Sequence, residues 1–530
     1  MLFTSYEFIG FLVVLFILYF LVPKKAQWVL LLLGSYVFYF LSGPSYLIYI
    51  LAVTLVVYLC ARKIESLRSA QEEYISAHKA ELSKEERKAY KESVKKKQKV
   101  FFLIGLLAGL FILGFIKYTN FVISNINGVM NAFGSGKSLS FLNLALPMGI
   151  SFYTFQSLGY LIDVKRGTIR AEKNPFKFAL FVSFFPQLIQ GPISRFSDLS
   201  KSLYEEHKFD INVFKSGVQR ILWGYFKKVV IADRILTAVK VLISDTDTYN
   251  GVFVFVGMMF YAVELYADFT GGIDITIGIA EALGITVTEN FNRPFFSKSI
   301  KEYWRRWHIT MGTWFTDYIF YPITVSKGML KLSKKSRAIL GETIGKRVPV
   351  YLSSFTVWLA TGVWHGASWN FIVWGLGNFV VIMISQELEP LYKKFHDKFH
   401  LIEKRPYQGF MVIRTIFIMS LLRTFDCYRD VPLTFRMVGG MFTTFNVNRL
   451  FSGELLALGL SIYDYIVLII GVIILFMVSM IGRSGSVRAK INALAYPVRF
   501  MIWFSLFLAI IIFGAYGVGY DASQFIYNQF

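Results

Sequence analysis

Apolar stretches close to membrane length recur along the whole chain, at residues 8–22, 46–61, 101–116, 465–481 and 500–516. Crossing the hydrocarbon layer takes about 20 apolar residues in a helix, so each of these is a candidate span. Residues 28–41 and 178–192 are shorter and read as tilted or re-entrant pieces. By this criterion the pattern predicts roughly eleven to thirteen transmembrane or re-entrant helices. The fold class that follows is an all-α polytopic membrane protein, with residues 1–530 forming one integral-membrane domain. The first apolar run lacks a basic leader and a small-residue cleavage site, so it reads as a retained helix.

The polar interruptions differ in kind. Residues 62–99 are rich in Lys, Glu, Ala and Gln, a helix-forming mixture that predicts a charged cytoplasmic helical hairpin. Residues 125–140 read as a polar, Gly-rich connection. From Leu146 onward, prolines, glycines and polar residues enter apolar segments, in LPMGISFYTFQSLGYLIDVKRG (146–167) and FFPQLIQGPISR (184–195). Such breaks are tolerated at membrane depth where protein or a watery cavity satisfies the freed backbone groups, so they point to a site. In ELYADFTGGIDITIG, Glu264 and Asp268 fall one helical turn apart, and Asp274 follows an expected break at Gly271-Gly272. These acids are expected to pair with arginines such as Arg293, Arg305 or Arg306. Residues 290–322 are too polar for a plain span and suit an interfacial or re-entrant helix.

The net charge of +22 is concentrated in three stretches: 62–99, the basic loop 324–350, and 482–499. Basic loops stay cytoplasmic, which assigns all three to that side and both termini, including Phe530, to the outside. Contact with anionic membrane lipids accounts for such charge, and an acidic cytoplasmic partner is the sharper alternative. No aromatic-basic recognition motif accompanies it, so nucleic-acid binding is not expected. Two cysteines, Cys60 and Cys427, are too few for a disulfide framework or a metal cluster and read as packing residues.

Of six histidines, His78, His207, His396 and His400 sit in charged segments. The other two, His308 in WRRWHIT and His365 in VWHGASW, sit among tryptophans in apolar surroundings. An ionisable group there is a functional hypothesis by default, and imidazole suits proton transfer near neutral pH. If an ester is formed from an activated acyl donor, the attacking hydroxyl needs a base and the tetrahedral intermediate needs hydrogen-bond donors. Trp304, Arg305, Trp364 and Asn370 are donors close to the two histidines in sequence. Gly366 would permit close approach of a substrate or backbone, and Arg305 and Arg306 would disfavour a charged His308. A satisfied core role for each histidine stays open, as does a metal pair, although no third ligand is apparent.

WRRWHITMGTWFTDYIFYP and VWHGASWNFIVWG resemble the paired histidine signatures of the membrane-bound O-acyltransferase family. The similarity is to its bacterial branch of alginate O-acetylation and teichoic acid D-alanylation. LPMGISFYTFQSLGYLIDV, FFPQLIQGPISRF, ELYADFTGGIDITIG and NFNRPFFSKSIKEYW resemble further blocks of that branch, in the same order, and residues 423–442 match more weakly. The resemblance covers residues 146–442 as the family core. It implies a fold around a central tunnel, with His365 as the central catalytic histidine and His308 as its companion toward the cytoplasmic mouth. It implies that Trp304, Arg305 and Asp317 shape the donor end, with Trp364, Gly366 and Asn370 around the central histidine. It further implies a multi-pass protein of the bacterial plasma membrane with no bound cofactor. The acyl donor would be acetyl-CoA or an acyl carrier protein thioester, and an extracytoplasmic serine esterase-like acyltransferase would complete transfer to cell-envelope polysaccharide. Thr316 departs from the branch, which commonly carries arginine there, and residues 321–328 lack its usual PLGG.

Overall fold

The computed structural model describes residues 3–516, so Phe530 and the side of the membrane assigned to it lie outside the described residues. Helices and their connections make up the described chain, and no strand occurs among the described residues. Among the described residues, seven helices are long and apolar enough to cross a membrane, which makes this a multi-pass membrane protein. The remaining apolar segments form shorter or interrupted helices, such as Tyr6–Leu21 and Pro175–Ser183. Pro23 follows the first of these closely and Pro186 the second, so both fall short of a simple span.

The chain divides into two units, residues 1–214 with 280–288, and residues 215–279 with 289–530. In the first unit, α1 (Tyr6–Leu21) and α2 (Gln27–Ser42) lead into α3 (Leu47–Ala77) and α4 (Lys84–Ala132). The charged arm is a helical hairpin, as its composition predicts, but it is built from the ends of these two long helices rather than from separate pieces. Ser83 caps α4: its hydroxyl accepts from the Glu86 amide at 3.1 Å while the Glu86 carboxylate accepts from the Ser83 amide at 2.8 Å. Helix α4 continues to Ala132, so helical structure fills half of the stretch expected to be a polar connection. The buried α5 (Ile150–Arg166) and the short α6 (Pro175–Ser183) follow.

In the second unit, α7 (Ile211–Tyr225) runs into a wider π-helical stretch, Phe226–Ala232, and then α8 (Asp233–Ser244). Helix α9 (Val252–Ala282) packs against α7 at very short range. A Cβ on Gly224 would stand 2.6 Å from the Gly271 carbonyl oxygen, and one on Gly278 would stand 2.8 Å from that of Gly217. The glycine pair at 271–272 therefore does not break the helix as expected. Gly271 lets a neighbouring backbone in, and α9 continues through it.

Residues 290–324 form short helices, α10 (Ile300–Arg306) and α11 (Ile309–Phe315), and then a π-helical turn, in keeping with a segment too polar to span. The stretch expected to be a basic loop is mostly helical: α12 (Lys327–Gly345) kinks at Gly341. Helices α13 (Val348–His365), α14 (Trp369–Glu387) and α15 (Arg405–Tyr428) follow. The last two are α16 (Ile462–Ile481) and α17 (Tyr496–Phe513). Ile469, Ile473 and Phe476 on α16 are exposed, an apolar surface suited to lipid.

Candidate active site

His308 occupies the N-cap of α11 with φ 49°, in the left-handed region that non-glycine residues rarely adopt. Two backbone hydrogen bonds hold it there: the Ile309 amide donates to the Asn290 carbonyl and the Asn292 amide to the Arg306 carbonyl, each at 2.9 Å. Asn290 also fixes the imidazole. Its Oδ1 accepts from the Thr310 amide (3.0 Å) and from the Thr310 hydroxyl (2.9 Å), and His308 Nδ1 lies 3.3 Å from the same oxygen. A backbone amide only donates, so the contacting Asn290 atom is the oxygen and Nδ1 carries the proton. That leaves the Nε2 lone pair as the basic position of His308.

His365 is the last residue of α13 and is buried. Its ring lies 4.6 Å from that of Trp374 and 5.1 Å from that of Trp364. Trp364 stands in turn 5.9 Å from the His308 ring, so the two histidines, distant in sequence, are separated by one indole. Gly366 is closely approached by a side chain. A Cβ there would fall 2.1 Å from the Phe371 ring, which occupies the space. The Asn370 amide is held on both sides: Nδ2 donates to the Phe425 carbonyl at 3.1 Å, tying α14 to α15, and Oδ1 accepts from the Ser368 hydroxyl at 2.5 Å.

The remaining candidates sit to one side. Trp304, Arg305 and Asp317 line a cavity of about 470 Å³ together with Thr316, Trp358 and Thr361. Trp304 Nε1 donates to Asn378 Oδ1 at 3.2 Å. Arg305 is exposed, while Arg306 pairs with Glu302 at 2.5 Å. The guanidinium whose charge bears on His308 is that of Arg423, not of Arg305 or Arg306 as the sequence suggested.

Arg423 and its helix neighbour Asp426 were missed in the sequence. Arg423 is buried on α15, its Cζ 4.7 Å from the ring centre of Trp374, 5.3 Å from Trp307 and 5.9 Å from Trp304. Its Nη1 lies 3.5 Å from Asp426 Oδ2, yet Nε and Nη2 make no hydrogen bond. The Tyr303 hydroxyl lies close to the same guanidinium. A cation with two unsatisfied donors, buried against the Trp374 ring that also packs on His365, is suited to holding an oxyanion. A charged i, i+3 pair inside an apolar helix was the available signal.

Asp268 and Asp274 of α9 have partners, though not the arginines expected, while Glu264 is buried with its Oε2 making no hydrogen bond. Asp268 accepts from Lys228 Nζ at 2.6 Å, and Asp233 lies 2.8 Å from the same ammonium. Asp274 accepts from Lys227 Nζ at 2.5 Å and from Arg220 Nε at 2.9 Å. Lys227 and Lys228 are adjacent, and both lie in the π-helical stretch.

Comparison with known proteins places the chain in a family. The model of the membrane-bound O-acyltransferase family matches residues 47–341, a range that includes His308 and stops short of His365. A protein named probable alginate O-acetylase, from Azotobacter vinelandii, is 33% identical over 393 residues, covering 73% of this chain and 69% of its own length. A peptidoglycan O-acetyltransferase from Helicobacter pylori is 31% identical over 325 residues, 56% of this chain and 58% of its own. A teichoic acid D-alanyltransferase from Bacillus subtilis is 28% identical over 258 residues, 48% of this chain and 62% of its own. With a family match across more than half the chain and such relatives, the protein belongs to the membrane-bound O-acyltransferase family and is an O-acyltransferase.

Proposed function

We propose that the protein transfers an acetyl group from a cytoplasmic thioester, acetyl-CoA or an acetylated acyl carrier protein, toward a cell-envelope polysaccharide outside the membrane. The observation that carries this reading is the packing of His308, His365 and Arg423 around shared tryptophans, in a chain whose alginate- and peptidoglycan-acetylating relatives bear the acetyl name. An acceptor hydroxyl attacks the thioester carbonyl as His365 removes its proton. Arg423 Nε and Nη2 donate to the oxyanion that forms. The tetrahedral intermediate collapses with cleavage of the carbon–sulfur bond, and the proton held by the imidazole goes to the departing thiolate. His308, its Nδ1 held by Asn290, presents Nε2 as an acceptor and positions donor or acceptor.

The basic helix α12 and its neighbouring loops would meet the donor's phosphates or an acidic carrier at the cytoplasmic face. A serine esterase-like acyltransferase outside the membrane would take the acyl group onward to polymer. D-Alanyl transfer to teichoic acid is the second reading, favoured by the Bacillus relative. The test is alkali-released acyl groups from envelope polymers, in cells with the native chain against His365→Ala at matched expression. Loss of released acetate is the expected result, and loss of D-alanine moves the substrate to the second reading. Unchanged release of every acyl group removes His365 from the chemistry and favours a carrier that passes an intact acylated molecule.

A further inference from the structure

A second cavity, of about 1000 Å³, lies within the second unit away from the histidines, walled by α7, α9, α16 and α17. One end is charged. Arg220 takes both carboxylate oxygens of Glu289 at 2.6 Å and, with Lys227, holds Asp274. Those four charges cancel, two against two. Arg293 remains on the same wall, which leaves it cationic, and Arg488 also lines the cavity. Arg488 donates to the carbonyl and hydroxyl of Ser216. Arg293 makes a single long contact, Nη1 to the Ser479 carbonyl at 3.5 Å. No carboxylate lies within 4 Å of it among the described residues, and the charges nearest to it in effect are Arg306 and Arg483, both cationic.

The other end is apolar, lined by Ile474, Val478, Met501, Ile502 and Leu506. Met501 and Ile502 are exposed on α17, a membrane helix, so at this end the cavity reaches the lipid-facing surface. The Trp503 indole also lines it, and its Nε1 is buried without a hydrogen-bond partner. A buried donor with no acceptor is costly unless an occupant supplies one.

We infer that this cavity binds an anionic phospholipid from the surrounding membrane, with the phosphate against Arg293 and the acyl chains along α16 and α17. The apolar end selects a lipid over a free phosphate, and the excess positive charge selects an anionic over a zwitterionic headgroup. The Trp503 N–H donates to an oxygen of the lipid. Tyr266 and Phe291 both line the cavity and pack on Trp307 at 6.4 and 5.1 Å, and Trp307 precedes His308. A seated lipid thus braces one wall of the histidine site without entering it.

The test uses the full chain, purified in detergent, delipidated and exposed to vesicles of phosphatidylcholine mixed with phosphatidylglycerol. Retained lipid is counted by native mass spectrometry. The native chain is expected to keep one phosphatidylglycerol with a preference of about tenfold or more, equivalent to 1.4 kcal/mol. Arg293→Gln should abolish that preference, and Trp503→Phe, which removes only the N–H and a little area, should weaken it several-fold. Ser505→Phe, which fills the cavity from α17 and leaves the charges alone, should reduce retention of both lipids. Equal retention of the two lipids by the native chain, or an unchanged preference in Arg293→Gln, would overturn the proposal. Displacement of the bound lipid by millimolar inorganic phosphate would overturn it too, by assigning the charged end to a soluble anion.

Discussion

Lys228 is the most demanding electrostatic point in the protein. Its ammonium and both carboxylates that hold it, Asp233 at 2.8 Å and Asp268 at 2.6 Å, have side chains no more than 2% exposed. At an effective dielectric of about 20, each contact at this range supplies about 6 kcal/mol of attraction. Desolvation of the three ions, at several kcal/mol each, offsets most of it. Replacing the whole group by neutral side chains should therefore cost little. Removing the lysine alone should not, because Lys228→Met leaves two buried carboxylates facing each other beside Glu264, itself buried with Oε2 unpartnered. The expected loss is about 3–5 kcal/mol, and the triple variant Lys228→Met/Asp233→Asn/Asp268→Asn should recover at least half of it. Thermal unfolding of the detergent-purified protein, followed by tryptophan emission, resolves the difference. If Lys228→Met melts with the native chain, or if the triple variant is no better than the single one, the buried network does not carry the load assigned to it.

Three further outcomes are expected. Gly224→Ala meets backbone atoms at 2.6 and 2.8 Å, so it should destabilise by about 1–3 kcal/mol, whereas Gly257→Ala, whose nearest atom is 3.6 Å away, should be neutral or slightly stabilising in the same melt. Asn290→Ala removes the acceptor for Thr310 and His308; acyl transfer should fall by at least about tenfold with membrane insertion intact, and native activity in that variant would show that the tautomer is set elsewhere. Arg449 and Ser452 hold the Glu454 carboxyl below its ordinary range. The tie they make in residues 447–458 should be complete above the ordinary glutamate range and lost as pH falls through the lowered value, which hydrogen exchange in that loop reads directly.

The helical pattern and the two histidines were legible because both depend on local composition. Long apolar runs can only be helices in a bilayer, and His308 and His365 stand out where ionisable groups are rare. What could not be read was which charges meet. Asp268 and Asp274 have arginines close by in sequence, yet they bind Lys227, Lys228 and Arg220, because α7 approaches α9 through glycines and a π-helical stretch brings both lysines to that side. Gly366 and Asn370 sit beside His365 in sequence, but their contacts could not be read from it. The Phe371 ring closely approaches one, and a backbone carbonyl accepts from the other. Arg423 shows the reverse: it lies far along the chain and reaches the site only because α15 packs on α14.

The crowding of Trp304, Trp307, Trp364 and Trp374 around two imidazoles and a guanidinium also gives the protein a built-in optical probe. Indole emission depends on the charge and polarity within a few ångströms, and four of the chain's ten tryptophans are concentrated here. Proton uptake by either imidazole, or arrival of an anion at Arg423, therefore alters the fluorescence of the unlabelled enzyme. The emission of those four rings can follow events at this site in real time, with no substrate analogue and no added dye.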